Sequence, residues 1–121
     1  MVVEGVTFQN SKGESLYGRY SQVRGSDYAV VICPGYNTFI DEDEYVYAQK
    51  TLNFLGISTL IFPYFGQLHE IDPSVISTSE CLDDTTKAYE LARKDHLHVG
   101  FIGVSLGGLA AILASAELKD V

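Results

Sequence analysis

Near the end of this 121-residue chain, Gly103-Val104-Ser105-Leu106-Gly107 carries the pattern G-x-S-x-G. A neutral serine hydroxyl is a poor nucleophile, and this spacing is one way of making it usable: a sharp strand-to-helix turn, the nucleophile elbow, projects the hydroxyl above the carboxyl edge of a sheet. Gly103 and Gly107 lack side chains, so strand and helix can approach closely while Ser105 takes a strained backbone conformation costing about 1–3 kcal/mol. A serine at a helix N-terminus also stands beside backbone N–H groups with no intrahelical acceptor, which can bind a developing oxyanion. Such a turn can equally be a glycine-rich connection with no catalytic duty. The flanking segments favour the elbow, because an apolar strand precedes the motif and an apolar, small-residue helix follows it.

The elements that must hold this turn are legible in the hydropathy pattern. Residues 2–9 (VVEGVTFQ) and 15–23 (SLYGRYSQV) are rich in β-branched and aromatic residues and are separated by a polar turn over Asn10–Glu14, which predicts an antiparallel hairpin. A second turn at Arg24–Asp27 leads into YAVVIC, apolar throughout and therefore expected to be a central strand buried on both faces. Pro34 and Gly35 stop it. The acidic run Asp41–Glu44 opens a helix, with Tyr45, Ala48, Leu52 and Leu55 at helical spacing and Gly56 as its stop. ISTLIFP is the next buried strand, and residues 64–76 read as a long loop. Ser77 and Glu80 form an S-x-x-E capping box opening a helix with Leu82, Ala88, Tyr89, Leu91 and Ala92 inward, ending near Lys94. LHVGFIG then runs into the elbow helix. The order β-β-β-α-β-α-β-α predicts an α/β fold, a mostly parallel sheet with an N-terminal antiparallel hairpin, in one domain spanning residues 1–121.

Composition narrows the function. Eight Lys and Arg against 16 Asp and Glu give a formal charge of −8, and no basic patch exists to neutralise phosphates, so nucleic acid is not an expected partner. No apolar run approaches the roughly 20 residues needed to cross a bilayer, and the N-terminus lacks a signal peptide's basic flank, so the chain is expected to be soluble and cytoplasmic without a membrane partner. Neither GxGxxG nor GxxxxGK[ST] follows the first parallel strand, which argues against nucleotide binding. Cys33 and Cys81 form no metal spacing, and the Asp41–Glu44 run reads as a solvated helix start rather than a cation site, so neither metal nor cofactor is expected.

On VTFQNSKGESLYGRY, AVVICPGYN, FLGISTLIFPYFG, TSECLDDTTKAYELA and above all FIGVSLGGLAAILAS, the chain resembles the N-terminal half of an α/β-hydrolase of the serine esterase, acyl-peptidase or cinnamoyl-esterase type. The resemblance implies Ser105 as nucleophile, the backbone N–H groups of Leu106 and Tyr36 as the oxyanion hole, and a small-molecule ester or acyl substrate. Each such donor is typically worth 10² to 10³ in rate, about 3–4 kcal/mol. Two segments depart from the family. Pro34-Gly35 stands where many members have His-Gly, and Pro63-Tyr64-Phe65-Gly66 stands where relatives often carry Asp-x-Arg-Gly.

The resemblance also implies an acid and then a histidine after the serine. Residues 106–121 contain Glu117 and Asp120 but no histidine. His96 and His98 precede the elbow strand and are expected to be solvent-facing or turn residues, with His98 about 20 Å from Ser105 at about 3.3 Å per strand residue. His69, in the long loop, is on the correct edge of the sheet but is more simply an exposed residue. The chain alone is therefore expected to be inactive, and a non-catalytic binding or assembly module is the alternative. In the family's strand order the outer side of Val99–Ile102 would be bare, so self-association or binding of a complementing C-terminal half through that edge is expected.

Overall fold

The computed structural model describes residues 2–36, 38–64, 77–118, 120 and 121. The first two β-rich segments form β1 (Val2–Gln9) and β2 (Ser15–Gln22), paired antiparallel with Val2 opposite Gln22 and Gln9 opposite Ser15. Their turn is built by Asn10, whose Oδ1 accepts the N–H groups of Lys12 and Glu14 at 3.1 and 3.0 Å, while Gly13 takes a positive φ of 76°. There follow β3 (Tyr28–Cys33), α1 (Asp43–Phe54), β4 (Ser58–Ile61), α2 (Thr78–Arg93), β5 (His98–Gly103) and α3 (Leu106–Glu117).

The five strands form one sheet in the order β1-β2-β4-β3-β5. β3 runs parallel to both β4 and β5, and β2 joins the hairpin to β4 antiparallel. Stepping from β3 to β4 and then back across β3 to β5 reverses direction along the sheet. Right-handed crossovers therefore place α1 and α2 on opposite faces. The larger core lies under α2 and α3, where Tyr20, Val31, Cys33, Leu60, Phe62 and Tyr64 meet Ala88, Ala92, Ala110 and Ala111. The smaller one lies under α1, where Ile32 and Ile61 meet Ile40 and Tyr45. β3 feeds both, because successive side chains of a strand point to opposite faces.

Helix ends follow local chemistry. Ser77 Oγ accepts the Glu80 N–H at 3.2 Å, but the reciprocal half of the expected capping box is missing: the Glu80 carboxylate pairs with Lys12 Nζ at 3.1 Å instead. At the end of α1 the N–H groups of Gly56 and Ile57 return to the carbonyls of Asn53 and Leu52, both at 2.9 Å, with Gly56 at φ 87°. These are the paired bonds of a Schellman stop, which needs a left-handed residue at that position.

Two sequence expectations are corrected. Leu55 caps α1 and is 66% exposed, while Gln49 and Asn53 are buried in its place. Gln49 Nε2 donates to Thr59 Oγ1 at 2.9 Å and to the Arg19 carbonyl at 3.1 Å, and Asn53 Nδ2 donates to the Ile57 carbonyl at 2.9 Å, so these polar side chains fasten α1 to β2 and β4. In α2, Leu82 is half-buried, whereas Cys81, Asp84 and Thr85 line the inner face. Asp84 accepts from Asn10 Nδ2 at 3.0 Å, tying the hairpin turn to α2. In β5, Val99 is buried but His98, Ile102 and Gly103 are exposed, as befits an edge strand.

Candidate functional site

β5 ends at Gly103 and α3 starts at Leu106, so the chain reverses within two residues. The Val104 N–H donates to the Cys33 carbonyl at 3.1 Å, carrying the β3–β5 pairing one residue further, and the Gly107 N–H returns to the Val104 carbonyl at 2.9 Å. Ser105 between them has φ 55° and ψ −116° and is the one non-glycine with positive φ among the described residues. Such a backbone costs about 1–3 kcal/mol and persists only where its surroundings over-determine it.

The flanking glycines supply that over-determination. A Cβ on Gly103 would stand 2.5 Å from Gly108 Cα, and one on Gly107 would stand 2.0 Å from the Cys33 carbonyl oxygen and 2.6 Å from that of Pro34. Both contacts are with backbone, which cannot swing aside. Gly107 thus lets α3 sit directly on the end of β3, and Gly103 lets β5 turn beneath it. The Ser105 side chain is left exposed at the carboxyl edge of the sheet. Leu106 is the first residue of α3, so its N–H has no acceptor within the helix.

The loop leaving β3 stands next to this turn. A Cβ on Gly35 would lie 3.5 Å from Ser105 Cβ and 3.2 Å from the Val104 carbonyl oxygen. Tyr45, reaching up from α1, accepts the Gly35 N–H on its hydroxyl at 3.1 Å and lies 2.8 Å from Thr38 Oγ1, which in turn donates to the Gly35 carbonyl at 2.6 Å. Tyr36, half-buried, continues from this clamp, and Pro34 is buried beneath it. Sequence reasoning named Tyr36 but missed Tyr45 and Thr38, whose part in the loop follows from tertiary contacts alone.

The candidate bases lie elsewhere. His98 is exposed and stacks on Tyr28 at 5.1 Å between ring centroids, at the far end of β5 from Ser105. His96 is only 4% exposed, which corrects the expectation of a solvent-facing ring. Its Nδ1 lies 2.9 Å from the Ala92 carbonyl at the end of α2, and Tyr20 covers it, its hydroxyl 3.3 Å away. That contact satisfies the imidazole and lets it be buried. His69, Phe65 and Gly66 lie outside the described residues. Glu117 ends α3 and Asp120 follows it, both exposed and both remote from the turn along the helix axis.

Cys33 precedes the loop, yet burial pushes its thiol up from 9.0 to about 12, so at neutral pH it is not a thiolate and does not compete as a nucleophile. Among the described residues no group of three or more His, Cys, Asp or Glu side chains is placed to hold a metal ion, and no helix is long and apolar enough to cross a membrane.

No family model matches the sequence, and neither does any curated protein. Solved structures do match in shape. Dienelactone hydrolase from Anabaena variabilis superposes with a TM-score of 0.84 at 20% identity, over 96% of this chain and 57% of that one. The chain has the α/β-hydrolase fold. The Pyrococcus furiosus esterase Pf2001 matches with a TM-score of 0.84 at 19% identity, over 99% of this chain and 49% of its own. Est1E from Butyrivibrio proteoclasticus matches at 0.79 and 21%, over 93% and 45%. This chain therefore spans about half the length of the α/β-hydrolase structures that it matches, and what it carries of that fold is the N-terminal half.

Proposed function

We propose that this chain provides the nucleophile half of a serine hydrolase acting on carboxyl esters or related acyl compounds. One observation carries the reading: Ser105 holds a strained, positive-φ backbone at a strand-to-helix turn, exposed beside the loop that leaves β3. In this reading Ser105 Oγ attacks the acyl carbon. Its proton passes to a histidine, which returns it to the departing alkoxide, and water then hydrolyses the acyl-serine by the same route. The N–H groups of Leu106 and Tyr36 hold the oxyanion. The histidine and its acid come from outside these 121 residues. The matching structures include a dienelactone hydrolase and an esterase, and Est1E has been seen with ferulic acid bound, which favours small-molecule esters as the substrate class.

A fluorophosphonate probe tests this. With the remaining half of such a hydrolase supplied as a separate polypeptide, labelling should occur at Ser105 and vanish in Ser105→Ala. A second reading, a non-catalytic binding or assembly module, is favoured by the positions of His96 and His98 far from Ser105, and absence of labelling under these conditions would establish it. Without a base, catalysis from the oxyanion hole and binding alone amounts to about 10³ to 10⁴ over water, so esterase assays of the chain by itself discriminate poorly.

A further inference from the structure

We propose that Thr38 and Tyr45 are positioning residues for the oxyanion hole: between them they fix the two peptide planes flanking Gly35, and so set the direction in which the Tyr36 N–H points beside Ser105. The role given to that N–H rests on the proposed function; the hold on the peptide does not.

The need for such a hold starts in the sequence. Pro34 fixes its own φ through its ring, but Gly35 has no side chain and rotates about both backbone torsions more freely than any other residue. A side chain that would restrict it is disfavoured, since a Cβ there would stand 3.2 Å from the Val104 carbonyl oxygen and 3.5 Å from Ser105 Cβ. The close approach that brings this loop against the nucleophile thus leaves a hinge at the residue just before the oxyanion donor.

Two hydrogen bonds remove that hinge. The Gly35 N–H belongs to the Pro34–Gly35 peptide and donates to the Tyr45 hydroxyl at 3.1 Å, while the Gly35 carbonyl belongs to the Gly35–Tyr36 peptide and accepts from Thr38 Oγ1 at 2.6 Å. With both planes gripped, both Gly35 torsions are set. The second plane carries the consequence. A trans peptide is planar with its C=O and N–H on opposite sides, so the oxygen held by Thr38 turns the Tyr36 N–H the other way, off the Thr38 side of the loop. The anchor is itself rigid. Tyr45 is the third residue of α1, is buried with Ile32, Ile40 and Ile61, and lies 2.8 Å from Thr38 Oγ1 through its hydroxyl. An amide N–H only donates and a carbonyl only accepts, so Thr38 spends its proton on Gly35 and Tyr45 gives its own to Thr38. Both hydroxyls are therefore needed. A donor aimed in advance is what an oxyanion hole requires, because it costs no reorganisation as charge develops.

The test reads the N–H vectors directly. Residual dipolar couplings of the isotope-labelled 121-residue chain in a weakly aligning medium should fit the structure at Gly35 and Tyr36. Thr38→Val, isosteric but without the hydroxyl, should move the Tyr36 coupling off that fit while Val104 and Gly107 stay on it, and Thr38→Ser should restore it. Tyr45→Phe should move the Gly35 coupling, and Tyr47→Phe, at an exposed tyrosine of the same helix, should move neither. A variant that merely loosened the fold would move all of these vectors together. In parallel, fluorophosphonate labelling of Ser105, with free imidazole in solution as the base, should slow about tenfold or more in Thr38→Val and recover in Thr38→Ser. A Tyr36 coupling unchanged in Thr38→Val, one that serine does not restore, or labelling that holds its rate while the vector moves would overturn the inference. A wild-type chain that is never labelled, with the couplings responding as stated, removes the nucleophile and keeps Thr38 and Tyr45 as the holders of this peptide.

Discussion

The Tyr45 hydroxyl accepts the Gly35 N–H at 3.1 Å and stands 2.8 Å from Thr38 Oγ1, which itself donates to the Gly35 carbonyl. All three protons are accounted for: Gly35 gives to Tyr45, Tyr45 to Thr38, and Thr38 back to Gly35. The loop beside Ser105 is thus closed on both polar groups of one residue, the N–H held by Tyr45 from α1 and the carbonyl by Thr38 of the loop itself. Tyr45→Phe keeps the ring and its packing but leaves the buried Gly35 N–H without its acceptor, a loss of about 1–3 kcal/mol. Urea denaturation should show it, with Thr38→Val costing less because Thr38 is only half-buried.

The glycines divide into two groups with opposite responses to an added methyl. Gly107→Ala drives a Cβ to 2.0 Å from the Cys33 carbonyl oxygen and should cost at least the upper end of the overpacking range, about 3 kcal/mol. Gly100→Ala meets open space and should stabilise the isolated chain by about 0.5–1 kcal/mol through backbone entropy. Thermal melts of the two variants should move in opposite directions.

Strain at Ser105 has its own signature. Ser105→Gly removes the Cβ that makes φ 55° costly and should raise stability by about 1 kcal/mol, whereas Ser105→Ala keeps the strain and should leave stability nearly unchanged. Equal melting temperatures for the glycine and alanine variants would show that the backbone there is relaxed.

Much of this architecture could be read in advance. YAVVIC coincides with β3, the glycine stop of α1 stands at Gly56, and the bend between Gly103 and Gly107 lies where the G-x-S-x-G pattern put it. The strand and the helix stop depend on neighbours in sequence, whereas the bend also needs the Cys33 and Pro34 carbonyls beneath Gly107. Gln49, Asn53, Asp84 and His96 were read as outward or not read at all, since hydropathy assigns polar side chains to water. Each is buried because an acceptor or donor waits on another element: Thr59 for Gln49, the Ile57 carbonyl for Asn53, Asn10 for Asp84, the Ala92 carbonyl for His96. Tyr45 and Gln49 do share one helical face at i, i+4, a spacing that would have flagged Gln49 had polarity not overruled it.

The thiols predict a pH response. Unfolded, Cys33 loses its proton near 9.0; folded, it holds it to about 12, and Cys81 likewise to about 11, burial being the first cause in both. Above pH 9 the native state therefore binds more protons than the unfolded one, and stability falls as pH rises through this window. Cys33 contributes a slope of about 1.4 kcal/mol per pH unit. Below pH 9 the effect is absent. Iodoacetamide at pH 8 should leave both cysteines unmodified in the folded chain and alkylate both in urea.

The bonds that join Val104 to Cys33, and the seat of Gly107 on that same carbonyl, link positions some seventy residues apart. Nothing local can assemble the corner where Ser105 sits. It forms only after β5 has threaded in alongside β3, because closing so large a loop precedes the contacts that reward it. A reagent that recognises the hydroxyl only in this bent conformation consequently reads out tertiary assembly rather than a peptide motif.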